Sequence, residues 1–164
     1  SACNRRSISI QGDFSMEIER KFLLKSLPDH LDSFPFHTIE QGYLCTDPVV
    51  RIRRQDEEYY LTYKSKGLMV REEYNLPLTR DAYCHLRSKT DGILISKKRY
   101  LIPLPPRYTI ELDIFEGKLA PLVLAEVEFA TEEEANHFVP PEWFGEDVTY
   151  SDKYHNSTLS RFTD

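Results

Sequence analysis

Ionised residues recur at every second position through almost every apolar segment of this chain, and that spacing decides what the segments can form. In the stretch MEIERKF, Glu17, Glu19 and Lys21 alternate with Ile18, Arg20 and Phe22. Arg51 and Arg53 alternate with Val50 and Ile52, Thr62 and Lys64 with Leu61 and Tyr63, and Arg71 and Glu73 with Val70 and Glu72. Lys97 and Arg99 are two apart, as are Glu111 and Asp113 among Ile110, Leu112 and Ile114, and Glu126 and Glu128 beside Val127 and Phe129. Alternate residues of a strand share a face, so each segment read as a strand has one charged and one largely apolar side.

The ordinary arrangement puts the apolar side on a core and the charged side in water. Two features of the set argue the other way. The charges are sorted by strand: 51/53 and 97/99 supply only bases, 111/113 and 126/128 only acids. A sheet that curls with these faces inward sets long bases against paired carboxylates, and an eight-stranded barrel is wide enough for a polar lumen and one small ligand. Enclosed carboxylates need cations to offset their desolvation, and a barrel packed with ion pairs gains little stability over an apolar one. The arrangement makes sense as a binding site, with carboxylates suited to Mg²⁺ or Mn²⁺ and Arg and Lys suited to phosphate oxygens.

Strand signals fall near 16–25, 39–46, 49–55, 58–65, 68–78, 92–102, 107–116 and 122–130, with hairpin turns in RQDEEYY and KSKGLM. Helices are expected after Thr79 with Gly92 as a stop, after Thr131 with a capping box to Glu134 and an end at Pro140, and from Ser151 onward. The class is α+β with a dominant antiparallel sheet. At 164 residues and 40% hydrophobic content the chain forms one domain, residues 16–164. Residues 1–15 are read as a leader or vector-derived segment, disordered, with Met16 as a native start. No apolar run spans a bilayer, so the expectation is a cytoplasmic protein with no membrane partner. A formal charge of −6 argues against nucleic acid, although RIRR and SKKR leave room for a local anion pocket. Cys3, Cys45 and Cys84 lack disulfide or zinc spacing, and His30, His37, His85, His137 and His155 are scattered. Trp143 is expected to be a packing anchor.

These residues resemble a known family. EIERK has the E-x-E-x-K form of the CYTH domains, or triphosphate tunnel metalloenzymes, and QGYL, RIRR, LTYKS, REEY, KKRY, IELDIF, LAEVEF, PPEWFGEDVT and YHNSTL follow in that family's order. The chain is most similar to short, single-domain bacterial members that look like inorganic triphosphatases. The resemblance implies a closed eight-stranded antiparallel β-barrel, a tunnel, with a few flanking helices and a C-terminal helix. It implies divalent cations, Mg²⁺ or Mn²⁺, held by Glu17, Glu19, Glu126 and Glu128 with Asp113 and Glu111: one through Glu19, Glu126 and Glu128, a second near Glu17. Lys21, Arg51, Arg53, Lys64, Lys97 and Arg99 match its phosphate-binding bases, with Arg71 and Glu73 on the adjoining wall; Glu17, Glu19, Lys21 and Glu128 carry catalysis. Asn75 departs from the pattern, since many relatives have an acid there, and Lys153 and Tyr154 approach the tunnel. The implied reaction is hydrolysis of triphosphate, or another small polyphosphate, to pyrophosphate and phosphate; no Walker-type glycine loop is present to cradle phosphates. Cyclisation of ATP, hydrolysis of thiamine or nucleoside triphosphates, and non-catalytic polyphosphate binding stand as alternatives. The aromatics Tyr43, Tyr59, Tyr63, Tyr74 and Phe115 are available to a base, or pack outside the barrel.

Overall fold

The computed structural model describes residues 13–162, and the leader expectation for residues 1–12 lies outside them. Strand β1 (Asp13–Leu24) starts three residues before Met16 and is followed by β2 (Phe36–Thr46), β3 (Val49–Gln55), β4 (Glu58–Lys64) and β5 (Val70–Pro77). Helix α1 (Arg80–Arg87) leads to β6 (Asp91–Leu104), β7 (Tyr108–Phe115) and β8 (Val123–Glu128); α2 (Glu132–His137), β9 (Phe144–Asp147) and α3 (Asn156–Leu159) complete the described chain. Neighbouring strands run in the order β5-β4-β3-β2-β6-β7-β8-β1, and β1 returns to pair with β5, so the eight expected strands close into a barrel. Every pairing is antiparallel, and the β3–β4 hairpin turns on two residues between Gln55 and Glu58, with Asp56 in the left-handed region at φ 54°.

The ninth strand was not expected from the sequence. Phe22 pairs with Ala125 of β8 on one edge of β1 and with Asp147 of β9 on the other, so β9 extends the edge that β5 occupies further up. Four residues with a glycine among them give too short a period-two signal to be seen in the sequence.

The main apolar core lies outside the barrel wall. Phe22, Ile102, Ile110, Leu112, Ala125 and Val127 face outward and are covered by Phe129, Ala135, Phe138, Trp143 and Phe144 from the α2–β9 region. Trp143 packs edge-on to Phe144 at 4.8 Å, the anchoring role expected of it. On the other flank α1 lies over β3 and β4, where Tyr83 packs on Tyr59 at 5.1 Å and donates to the Glu40 carboxylate, which Arg87 also holds. Both longer helices are capped as the sequence indicates: Thr79 accepts from Ala82 N–H and Thr131 from Glu134 N–H. The Glu134 carboxylate pairs with Arg107 at 2.8 Å and is drawn away from the capping box.

A second apolar cluster occupies inward positions. Tyr43, Ile95, Phe115 and Leu124 each continue, by two residues, a row that carries Gln41, Lys97, Asp113 or Glu126, and with Val49, Leu119 and Val148 they fill one end of the barrel. The segment after β9 closes over this floor, packing Tyr154 and Leu159 against it. The long C-terminal helix expected from Ser151 is instead one 3-10 turn, Asp152–Tyr154, and the four-residue α3, separated by extended His155. Its backbone groups are engaged by the barrel: the Tyr154 carbonyl accepts from Lys21 Nζ, and the Ser160 carbonyl accepts from Ile93 N–H at 2.7 Å. Gly92, expected to stop α1, instead opens β6 at φ 67°, where a Cβ would sit 2.0 Å from that Ser160 oxygen. The first helix ends earlier, at Arg87.

Arg20, the ion on the apolar face of β1, ties this exterior together. Its guanidinium donates to the Ala135 and Phe138 carbonyls at 2.9 and 3.0 Å and to Asp147 at 2.9 Å, and lies over the Phe22 ring. Arg20→Met keeps the aliphatic packing and leaves two carbonyls and a carboxylate without their donor. It is expected to lower unfolding stability by about 2 kcal/mol in urea denaturation, and a loss below ~0.5 kcal/mol would contradict this role.

Candidate active site

Barrel closure brings the charged rows inward. Glu17, Glu19, Lys21, Arg51, Lys64 and Glu126 are buried, and with Arg53, Arg71, Glu73 and Arg99 they line a cavity of about 310 Å³. Pairing fixes their neighbours: Glu17 sits opposite Arg71, Glu19 opposite Glu128, Lys21 opposite Glu126, and Arg99 opposite Asp113. The register that places these side chains together also sends Ile18, Ile52, Leu112 and Val127 to the exterior.

The acids divide into two groups. Glu17, Glu19 and Glu128 each present an oxygen within 4.8 Å of the others. Glu126, Asp113 and Glu111 are instead engaged by bases. Arg99 grips Asp113 through two bonds of 2.7 and 2.9 Å and reaches Glu111 and Glu126 at 2.5 and 3.6 Å. Lys97 meets Asp113 at 2.7 Å, both side chains being fully enclosed beneath the cavity wall, and Lys21 meets Glu126 at 3.4 Å. Of the six acids expected as ligands, Glu17, Glu19 and Glu128 converge, Glu17 while also paired with Lys64 and Arg71, and the other three lie apart in ion pairs of their own.

The electrostatics follow that division. Burial raises the Glu17 carboxyl, but Lys64, 2.9 Å from both oxygens, and Arg71 outweigh it and hold it well below the usual range. Burial likewise opposes ionisation of Glu126 and Asp113, and Lys21 and Arg99 for the first, Arg99 and Lys97 for the second, keep them ionised. Glu19 is pushed well above the ordinary value by burial and by Glu126 and Glu17. Burial, Glu111, Glu17 and Glu73 push Glu128 up to about 7. Ionising all three carboxylates of the trio would therefore gather more negative charge than its surroundings balance, and their hard oxygen donors fit a divalent cation.

Arg51 and Arg53 have no carboxylate within ion-pair distance among the described residues. Arg51 donates to Thr62 Oγ1 at 3.2 Å, that hydroxyl donates to Asn75 Oδ1 at 2.6 Å, and Asn75 Nδ2 donates to Glu73. The amide at position 75 thus keeps Glu73 oriented without adding a charge beside Arg51. Arg51 Nε is buried without a hydrogen-bond partner among the described residues.

Thr62, read on the charged row with Lys64, and Tyr43, read as an available aromatic, both line the wall. Several residues escaped the sequence reading: Gln55 and Tyr60 line the wall, His155, Asn156 and Ser157 arrive from the C-terminal segment, and Gln41 lies enclosed behind Arg53. The period-two rule places Gln41 and Tyr43 inward once β2 is registered against Arg53, but nothing local marks residues 155–157. His155 is neutral there, its pKa lowered to about 4 by burial and by Lys21 and Arg71. Lys153 is exposed over the Tyr154 ring, so Tyr154 meets the bore through its carbonyl and Lys153 does not reach it. Among the aromatics, Tyr43 and Phe115 face the floor, whereas Tyr63 stacks on Tyr74 at 5.9 Å and Tyr59 on Tyr83, all on the outer wall.

A model of the CYTH domain matches residues 15–162. The chain is 43% identical over 148 residues to an inorganic triphosphatase of Nitrosomonas europaea, covering 88% of this chain and 96% of that protein. It is 34% identical over 149 residues to an inorganic triphosphatase of Acetivibrio thermocellus, covering 87% and 92%. A crystal structure of an inorganic triphosphatase superposes with a TM-score of 0.68 at 40% identity, over 90% of this chain and 95% of that one.

Glu128 offers a pH test. Its folded pKa lies above its unfolded value of 4.5, so the native state binds this proton more tightly and loses stability as pH rises from 4.5 through about 7. In EDTA, Glu128→Gln is expected to gain about 1 kcal/mol at pH 8, a figure discounted for the exposure of this side chain. The gain should vanish near pH 4, and thermal melts showing a pH-independent difference would refute the assignment.

Proposed function

The chain belongs to the CYTH domain family, and from that membership we propose that it hydrolyses inorganic triphosphate to pyrophosphate and phosphate inside the barrel. The composition of the site supports this most directly: Glu17 and Glu19 of the converging carboxylate trio share the cavity wall with Arg51 and Arg53, which have no carboxylate within ion-pair distance among the described residues, and Glu128 joins the trio from outside that wall. The volume of about 310 Å³ lies at the low end of ligand cavities, roughly 300–1,000 Å³, and favours a compact polyanion over a nucleotide.

Glu17, Glu19 and Glu128 would hold the divalent cation, for which we propose Mg²⁺ or Mn²⁺. When bound it supplies charge neutralisation and polarises phosphate oxygens. Arg51 and Arg53 bind the anionic oxygens on the opposite wall and stabilise the charge that develops on the departing pyrophosphate. Lys64 and Arg71 fix the Glu17 carboxylate, and Lys21 with Arg99 fixes Glu126, so these oxygens and ammonium groups need no reorganisation when substrate enters. The floor of Tyr43, Phe115, Leu124 and Val148 excludes bulk water, which strengthens every charge interaction above it. We also propose a cytoplasmic setting, where the exposed thiols of Cys45 and Cys84 stay reduced.

Phosphate release from triphosphate should require Mg²⁺ or Mn²⁺, cease in EDTA and exceed release from ATP or thiamine triphosphate; binding without turnover would leave a polyphosphate-binding module. Glu19→Gln is expected to lower kcat/KM by about a hundredfold, the equivalent of ~3 kcal/mol, with circular dichroism unchanged. Arg51→Ala should weaken triphosphate binding even without metal, since it removes an anion contact and leaves the trio intact.

A further inference from the structure

Ion pairs hold Lys21, Lys64, Arg71, Lys97 and Arg99, whereas Arg51 donates to a hydroxyl and Arg53 to an amide. Arg53 Nε and Nη2 donate to Gln41 Oε1 at 2.9 and 2.7 Å. Gln41 Nε2 donates to Asn156 Oδ1 at 3.0 Å, and the same oxygen accepts from Lys97 Nζ at 3.0 Å. Arginine and lysine only donate, so the cations at the two ends fix the orientation of both amides. Gln41 is wholly enclosed, and Asn156 comes from the segment that closes the floor.

A carboxylate at position 41 or 156 would accept the same bonds and bind the cation more strongly, but it would also cancel its charge. An amide immobilises the guanidinium and leaves its charge uncompensated. That state is costly without a ligand: burial, Arg51 and Arg99 push Arg53 down to about 9. An incoming polyanion relieves the cost, and the relief is then part of its binding free energy.

We infer that Gln41 and Asn156 are positioning residues that hold Arg53 in place without neutralising it and orient Lys97, whose charge Asp113 already balances, so that the C-terminal segment sets the affinity of the bore for triphosphate. The substrate named here rests on the triphosphatase reading; the hydrogen-bond chain does not.

The test uses near-isosteric charge variants. Gln41→Glu retains the Arg53 contact, loses the donor to Asn156 Oδ1, and is expected to remain folded. It should nonetheless weaken inorganic triphosphate binding, titrated by calorimetry in EDTA, by about tenfold, the effect of ~1.4 kcal/mol. In turnover assays the loss should appear in KM, with kcat within about threefold of the wild type. Asn156→Asp should act in the same direction. A purely structural role predicts undiminished binding in Asn156→Asp, since aspartate accepts the bonds from Gln41 and Lys97 that asparagine accepts. Wild-type affinity in Gln41→Glu, or failure of both variants to fold, would overturn the inference. Wild-type binding without hydrolysis would instead remove the triphosphatase reading, and the affinity order of the variants would still decide this one.

Discussion

The return of β1 to β5 is the interaction on which the rest of the molecule depends. It places Glu17 opposite Arg71 and Ser15 opposite Glu73, and thereby turns a curled sheet with two edges into an enclosure. Without it, Glu17 on β1 and Lys64 on β4 lie toward opposite ends of an open sheet and the trio has no counterpart across a lumen. The cost is the desolvation of many ions at once, which the mutual pairing of Lys21, Lys64, Arg71 and Arg99 with their acids offsets only in part. Stability must therefore come from elsewhere. It comes from the outer wall, where α2, β9 and α1 bury the apolar rows that an ordinary barrel of this size would keep inside.

The interior is ordered by charge along its wall. Around Asp113 acids and bases cancel closely, and Asp113 and Lys97 are fully enclosed. Toward Glu17, Glu19 and Glu128 negative charge exceeds its compensation, and at Arg51 and Arg53 positive charge does. These are separated regions of opposite excess, so two ligands of opposite sign, a cation and a polyanion, suit the cavity better together than either does alone.

Most of the barrel was legible in the sequence because its signal is periodic. Alternation identified all eight barrel strands, and purity of charge on 51/53, 97/99, 111/113 and 126/128 identified the inward face. Spacing within a strand carries no information about which strands meet, and so it did not separate Glu126 and Asp113, which bases hold, from Glu17, Glu19 and Glu128, which converge. The register between β1 and β8 decides that. Likewise β9, with four residues, and the 152–159 segment, broken by extended His155, have no repeat long enough to detect. Asn156 enters the site through tertiary contacts alone, and Gln41 became visible only when its row was aligned with Arg53.

The backbone contact between Ser160 and Gly92 also decides where a disturbance of the floor is felt. Gly92 belongs to β6, the strand that carries Lys97 and Arg99, so the bond from Ile93 N–H to the Ser160 carbonyl ties the closing peptide to two bases of the bore. A Cβ at position 92 would meet that carbonyl at 2.0 Å, so a single methyl group separates closure of the vessel from pairing of its wall.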